Sequence, residues 1–146
     1  MNYIKEAENY LRHYNSLKES TKHALYMINQ IKKRAAPSSK VSADYEITGI
    51  HAGSVANTLN DLYELQIWHG VYEDNMSAIE HIDEMLLSLD DRECMVLRLW
   101  YIQNVHVVDI ARELNYTERR SVYNLKNRAL KNFAVKMFGL KALKAI

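Results

Sequence analysis

Residues that form turns or cross-links are scarce in this sequence. Its 146 residues include one proline, four glycines and one cysteine, Cys94. So few turn-forming residues argue against many short strands and favour a small number of long helices. A single cysteine excludes an internal disulfide. Because Cys94 lies within an apolar helical stretch, we expect a buried structural thiol rather than a nucleophile.

Motifs for small-molecule chemistry are also missing. The six histidines include no pair at i, i+4, and there is no cysteine pair, so a zinc site has no support. Neither a Walker-type glycine–lysine loop nor a GxGxxG pattern occurs. We find no catalytic constellation and therefore expect neither an enzyme nor a cofactor.

Long apolar runs and a secretory leader are absent as well. No run approaches the roughly 20 apolar residues that span a bilayer. The N-terminal segment MNYIKEAENY has no basic region followed by an apolar block. With 48% hydrophobic and 25% charged residues, we expect a globular, cytoplasmic protein with no membrane partner.

The net charge of +1 hides a division along the chain. Residues 1–89 contain eight Lys/Arg and twelve Asp/Glu, whereas residues 90–146 contain eleven and six. From Thr117 onward, eight basic residues accompany one acid. Such asymmetry is typical of a basic end that meets a polyanion, although a solvated basic tail would have the same composition.

Apolar spacing predicts three helices in the C-terminal third. The first begins at Asp90, where Glu93 completes a capping-box pattern, and extends to about Gln103. The second helix has apolar residues at helical spacing, namely Val107, Ile110, Ala111 and Leu114. It is predicted to end at Asn115, because asparagine readily adopts a left-handed backbone conformation.

The third predicted helix carries most of the positive charge. We expect Thr117 to cap it and Gly139 to follow its end near Met137. No acid occurs from Arg119 to Gly139. The buried stripe is predicted to comprise Val122, Leu125, Ala129 and Phe133. The opposite face then holds Arg120, Asn124, Asn127 and Lys131, with Tyr123 at its edge.

Two helices joined by a short turn, the second presenting Arg and Asn, form a helix-turn-helix plan. A helix fits the major groove of DNA, where Arg can pair with guanine and Asn with adenine through two hydrogen bonds. Flanking Lys and Arg neutralise phosphates. We therefore predict double-stranded DNA as the partner. The candidate DNA-binding residues are Arg112, Thr117, Arg119, Arg120, Ser121, Tyr123, Asn124, Asn127, Arg128 and Lys131.

These residues lie in a segment that resembles region 4, the −35-reading domain of bacterial sigma factors. The segment is LDDRECMVLRLWYIQNVHVVDIARELNYTERRSVYNLKNRAL. It is more similar still to the ArpU/RinA-type sigma-like regulators of phages and mobile elements of Gram-positive bacteria. The landmarks are LDDRE, VLRLWYIQNV, DIARELNYTERRSVYNL and RAL. The resemblance implies promoter DNA binding and transcriptional control, and it allows contact with RNA polymerase.

The N-terminal part is predicted to form two long helices. A heptad-type seam predicts a first helix of about 30 residues, roughly 50 Å long, that ends near Pro37. Residues 37–53 are predicted to form a loop, and apolar spacing from Ser54 to about Ser88 predicts a second helix in which Gly70 is a candidate kink. The seam comprises Tyr3, Ala7, Tyr10, Tyr14, Leu17, Thr21, Ala24, Ile28 and Ile31.

The predicted fold is therefore all-α, with a long antiparallel helical hairpin in residues 1–88 and a three-helix helix-turn-helix domain in residues 89–146. The hairpin stripe has two interpretations. It is either plain core packing, or a surface that forms a homodimer or docks RNA polymerase. A homodimer through the N-terminal helices has independent support, because two copies usually read an operator.

The leading functional hypothesis is a sequence-specific DNA-binding transcriptional regulator of phage or mobile-element type. One alternative is a DNA-packaging accessory similar to a small terminase subunit, which would also need a helix-turn-helix but would assemble into a larger ring. Another is a protein-only adaptor whose basic helix binds an acidic partner. An oligomer mass well above that of a dimer would favour the packaging accessory. Absence of DNA binding at low salt would favour the adaptor.

Overall fold

The computed structural model describes residues 2–35 and 52–145, and within these ranges the chain contains seven α-helices, one π-helical segment and no strand. The all-α prediction is therefore confirmed. The predicted loop lies outside the described residues, apart from Ala52 and Gly53, which belong to a helix. The helices are α1 (Tyr3–Arg12), α2 (Tyr14–Ala35), α3 (Ala52–Leu87), α4 (Asp91–Leu97), α5 (Val107–Glu113), α6 (Arg119–Phe138) and α7 (Leu140–Ala145), and the π-helical segment Arg98–Ile102 continues α4.

The chain divides into two compact units. Unit 1 comprises residues 1–17 and 77–146, and unit 2 comprises residues 18–76. Helix α1 belongs to unit 1, where it contacts α6 and α7. Helices α2 and α3 each contribute residues to both units.

Helix α6 is the centre of unit 1, where it contacts α1, α4, α5 and α7. Its buried side chains are apolar and include Phe133 and Val122, both without solvent exposure. One continuous core forms around them because each surrounding helix supplies an apolar stripe at helical spacing. The surrounding helices contribute Ala7, Leu11, Tyr14, Ile79, Ile82, Leu86, Leu89, Val96, Leu97, Tyr101, Ile110, Ala111, Leu114 and Ala142.

The predicted single N-terminal helix is wrong, because the helix breaks at His13. That residue ends α1 with φ −94° and ψ 3°, and α2 begins at Tyr14. The seam is consequently shared between the units. Ala7, Leu11 and Tyr14 are buried in the core of unit 1, whereas the buried residues of unit 2 are Thr21, Ala24, Ile28 and Ile31.

The start of α4 does not form the predicted capping box. Asp90 occupies the N-cap position, but its side chain makes no capping hydrogen bond. Glu93 is buried and accepts a hydrogen bond from Asn132 Nδ2 at 2.8 Å. The carboxylate therefore connects α4 to α6 instead of closing the first turn of its own helix.

Polar contacts hold the turn between α5 and α6. The carbonyl of Leu114 accepts a hydrogen bond from Arg92 Nη2 at 2.9 Å, and the Arg92 guanidinium lies 4.8 Å from the centroid of the Tyr116 ring. Asn115 has φ 59°, the predicted left-handed conformation. Thr117 is not the N-cap of the next helix, since α6 begins at Arg119 after Glu118, whose side chain makes no capping hydrogen bond.

Helix α6 ends where the sequence predicts. Gly139 follows Phe138 with φ 65°, a backbone conformation that side chains with a Cβ rarely adopt. The N–H of Gly139 donates to the carbonyl of Val135 at 2.7 Å. The glycine thus stops α6 and allows the short helix α7 to turn back onto α1 and α6.

Within unit 2, α2 and α3 run antiparallel. Arg34, at the end of α2, donates to Asp61 and Glu64, with 3.1 Å between Nη2 and Glu64 Oε2. Earlier in α2, Ser20 accepts a hydrogen bond from Asn75 Nδ2 at 2.9 Å. Helix α3 runs unbroken through Gly70, so the glycine does not interrupt it.

The buried stripe of α6 generates a stability prediction. We expect Phe133→Ala to lower the free energy of unfolding by about 3–5 kcal/mol, since it leaves a cavity in the core where four helices meet. Urea unfolding followed by circular dichroism measures the change. Leu140→Ala is the control because Leu140 is 65% exposed. Equal losses in the two variants would contradict the assignment of Phe133 to the core.

Candidate nucleic-acid interface

The exposed face of α6 lies opposite its buried stripe. Val122, Leu125, Ala129 and Phe133 are at most 3% exposed, which fixes the rotation of the helix. The sequence places no acid between Arg119 and Gly139. The residues that face outward are therefore basic or neutral, and those on the predicted DNA-binding side are Arg120, Asn124, Asn127 and Lys131, all exposed.

The ten predicted DNA-binding residues are all accessible to solvent to some degree. Ser121 is partly exposed, and the others are exposed. Eight of them lie on α6, one is on α5 and one is in the intervening turn. The α6 residues are Arg119, Arg120, Ser121, Tyr123, Asn124, Asn127, Arg128 and Lys131, the α5 residue is Arg112, and the turn residue is Thr117.

Two of the predicted cations already have acidic neighbours. Arg128 Nε lies 3.9 Å from Glu93 Oε1, the buried carboxylate that also accepts from Asn132. Arg112 Nη1 lies 3.4 Å from Asp109 Oδ1 in an exposed pair one turn apart on α5. An exposed pair of this kind contributes little stability, so the Arg112 guanidinium can exchange its partner for another anion.

Three other cations on α6 have no such neighbour. Among the described residues, no acidic oxygen lies within 4.0 Å of Arg119, Arg120 or Lys131. No ion pair within the described part of the chain therefore compensates these three charges. An anion that contacts this surface would release counterions without first breaking an ion pair.

A cleft of about 300 Å³ lies beside the turn between α5 and α6. Two arginines, Arg112 and Arg119, line it together with Thr117 and Tyr116. Although Thr117 does not cap the helix, it lines the same cleft as the two arginines. The cleft joins the α5 and α6 parts of the predicted set into one surface.

An aromatic cluster extends this surface toward the π-helical segment. The Trp100 and Tyr123 rings meet edge to face, with centroids 5.3 Å apart. Lys126 Nζ lies 4.8 Å from the centroid of the Trp100 ring. Tyr123 remains 43% exposed. The neighbouring cleft, of about 340 Å³, is lined by Arg12, Trp100, Asn104, Val105, His106, Val107 and Tyr123.

Sequence reasoning missed Trp100, Lys126 and Arg12 as members of this surface. The spacing of Lys126 three residues after Tyr123 was a usable signal, since i and i+3 are neighbours on a helix. Trp100 and Arg12 had no local signal, because only the packing of α1 against α6 and the contacts of Trp100 with Tyr123 and Lys126 bring them here.

A hydrogen-bonded network connects Arg12 to the core. The Tyr101 hydroxyl donates to Glu8 Oε2 at 2.6 Å, and Arg12 Nε lies 3.5 Å from Glu8 Oε1. The Arg12 guanidinium also lies 5.2 Å from the centroid of the Tyr101 ring. Arg12 is thereby held at the edge of the aromatic cleft by two contacts, one ionic and one with a ring face.

This network shifts two pKa values in opposite directions. Partial burial raises the pKa of the Glu8 carboxyl, but the hydrogen bond from Tyr101 and the nearby Arg12 charge outweigh it, so the pKa is lowered overall. Burial, reinforced by the hydrogen bond to Glu8, raises the pKa of the Tyr101 hydroxyl. The ionised carboxylate and the neutral phenol are thus the forms that the fold favours.

Two further features are absent from the described part of the chain. No group of three or more His, Cys, Asp or Glu side chains there could hold a metal ion. No helix in those ranges is both long and apolar enough to cross a membrane.

Comparison with known proteins returned no relative: no protein-family model matches the chain, and no curated protein or solved structure shows significant similarity to it.

The Glu8 network predicts a pH-dependent contribution to stability. At pH 7, we expect Glu8→Gln to lower the free energy of unfolding by about 1 kcal/mol. The hydrogen bond from Tyr101 is then accepted by a neutral amide oxygen instead of a carboxylate, and the ion pair with Arg12 is lost. A lowered carboxyl pKa stabilises the fold above the ordinary glutamate range, and that contribution disappears as pH falls through the folded pKa. The difference between the two proteins should therefore shrink below about pH 4.

Urea unfolding at a series of pH values provides the measurement, with Glu80→Gln as the control because Glu80 is exposed on α3. A difference between wild type and Glu8→Gln that stays constant down to pH 3 would show that the charge of Glu8 does not contribute.

Proposed function

We propose that this protein is a sequence-specific DNA-binding transcriptional regulator of phage or mobile-element type, which reads promoter DNA through α6. The observation that carries the proposal is the exposed face of α6, which has no acid from Arg119 to Gly139 and holds three cations without an acidic neighbour among the described residues. A surface helix without a ligand would ordinarily mix both signs of charge.

The connection of α5 to α6 supports a helix-turn-helix as the DNA-binding element. The two helices contact each other, and residues 114–118 join them with one left-handed residue at Asn115. In this proposal α6 is the recognition helix. Arg120, Asn124 and Asn127 would meet base edges, because Arg and Asn form paired hydrogen bonds with guanine and adenine.

Phosphate contacts are assigned to the margins of the same surface. Arg119 and Arg112 line one cleft, and Lys131 lies two turns further along α6 than Asn124. Cations in these positions would fix the orientation of the protein on the duplex without reading its sequence. Tyr123 lies between the two groups, with its ring against Trp100.

Two copies acting together are part of the proposal, with self-association through the N-terminal helices. One α6 face has few cations and can therefore neutralise few phosphates. Specific binding to an operator is then favoured when two copies bind together. Contact with RNA polymerase is a further part, which the resemblance to sigma-factor region 4 supports.

Salt dependence tests the proposal at its most general level. At about 50 mM salt we expect the protein to retard random and promoter duplexes in a gel, and at about 200 mM salt we expect affinity for random DNA to fall by at least tenfold. Absence of any complex at the lower salt concentration would overturn the DNA-binding function. It would then favour an adaptor that binds an acidic protein.

Base reading and phosphate contact make separable predictions. We expect Arg120→Ala to cost about 1–3 kcal/mol on the selected operator and to relax preference at one base pair, because paired hydrogen bonds to a base are lost. Lys131→Ala should weaken binding to cognate and scrambled duplexes by the same factor. Selection of bound fragments from random DNA supplies the operator, and fluorescence anisotropy measures the affinities. Equal losses on both duplexes for Arg120→Ala would refute the proposed facing of α6.

A further inference from the structure

The outward face of α3 in unit 2 is apolar and uncovered. Leu59, Leu62, Tyr63 and Ile67 are 62%, 58%, 65% and 46% exposed. Their spacing places them on one side of the helix, together with Gln66 and Gly70. The opposite side contains Asp61 and Glu64, which contact Arg34 of α2. The stripe therefore faces away from α2, and it contains no charged residue over about three helical turns.

Gly70 lies on this same face, and none of the described residues accounts for a glycine there. Glycine inside a helix costs about 1 kcal/mol relative to alanine. A Cβ added to Gly70 would have no heavy atom within 4 Å, and its φ is not positive, so neither close packing nor backbone conformation requires glycine here. A missing side chain on an exposed apolar face allows another helix to approach closely.

We propose that this face binds the same face of a second copy of the chain, with the two α3 helices antiparallel and centred on Tyr63. In that arrangement Tyr63 meets the partner's Tyr63 at a two-fold axis, and Leu59 meets the partner's Ile67. The surface is self-complementary, as a two-fold interface requires. The role of the dimer in bringing two α6 faces to one operator rests on the proposed function, whereas the pairing itself does not.

Charge favours the antiparallel direction. Residues 52–76 contain four acids and no Lys or Arg, and Glu73 and Asp74 lie exposed just beyond the stripe. A parallel pair would place these acids beside the same acids of the other copy. In the antiparallel pair they lie beside the first turn of the partner's α3, which begins at residue 52 and is the positive end of the helix dipole.

The available area suits a pair of helices. With about 200 Å² for each large side chain, the four exposed residues present roughly 450 Å² of apolar surface. A stable two-protein interface buries about 800 Å² on each partner. The stripe would supply more than half of that area, and Gln66, Gly70 and the flanking backbone would contribute to the remainder.

Cysteine cross-linking tests the register. In the full chain with Cys94→Ser, which removes the only cysteine, we expect Tyr63→Cys to form a disulfide-linked dimer on oxidation with diamide. Leu59→Cys is the matched control. Residue 59 would lie about 12 Å along the axis from its counterpart, too far for a disulfide. We expect cross-linking at 63 to be at least tenfold faster, and equal rates or no reaction at 63 would overturn the pairing.

Sedimentation equilibrium tests the face without a cross-link. The full chain should be a dimer at micromolar concentration, and Ile67→Glu or Gly70→Leu should raise the dissociation constant by at least tenfold. Tyr26→Glu is the control, since Tyr26 is 57% exposed but lies on α2. Circular dichroism verifies that each variant is folded, and open space around Gly70 makes Gly70→Leu compatible with the folded monomer.

The outcomes separate this proposal from the DNA-binding function. Two outcomes overturn the α3 pairing, whether or not DNA is bound. One is a wild-type chain that is monomeric at 100 μM. The other is an assembly with a mass well above that of a dimer, if Ile67→Glu does not lower that mass. A dimer lost in Ile67→Glu but with no affinity for DNA supports the pairing and overturns the proposed function. Cross-linking at residue 63 together with operator binding supports both.

Discussion

The burial of one face of α6 is the constraint on which unit 1 depends. Phe133 and Val122 are completely enclosed, and the surrounding helices pack against the stripe that contains them. Once that stripe is fixed, the helix cannot rotate without exposing it to water, at a cost of about 1.5–3 kcal/mol for each large apolar side chain. The orientation of Arg120, Asn124 and Asn127 toward solvent is therefore a consequence of the core, since the same rotation determines both faces.

Polar contacts refine this arrangement where hydrophobic packing leaves freedom. Glu93 connects α4 to Asn132 and Arg128 of α6, Arg92 holds the turn at Leu114, and Glu8 binds Tyr101. Each contact joins elements distant in sequence, and the three lie around the helix that carries the basic face. The charges of the candidate interface are consequently presented by a helix whose neighbours are fixed on several sides.

Local spacing predicted those features that a single helix determines for itself. The stripe of α6, the left-handed Asn115 and the end of the helix at Gly139 all follow from periodicity or from a residue's own backbone preferences. The break at His13 could not be predicted from spacing. The apolar residues of a heptad-type seam have the same spacing whether they all pack in one unit or are divided between two. Thr117 and Glu93 have residue types that commonly cap helices, but Glu93 instead makes a tertiary contact with Asn132. The contact between Trp100 and Tyr123 is also tertiary, so local sequence could not predict it.

The two tryptophans are divided between the units. Trp68 lies in unit 2 with its ring edge toward His23, centroids 5.3 Å apart, and Trp100 lies in unit 1 beside Tyr123 and Lys126. Each unit thus contains one tryptophan, and the two indoles have different neighbours. Replacing either indole by phenylalanine would leave tryptophan emission, excited selectively above the tyrosine absorption band, from one unit only. Loss of structure in the two units can therefore be followed separately in the intact chain.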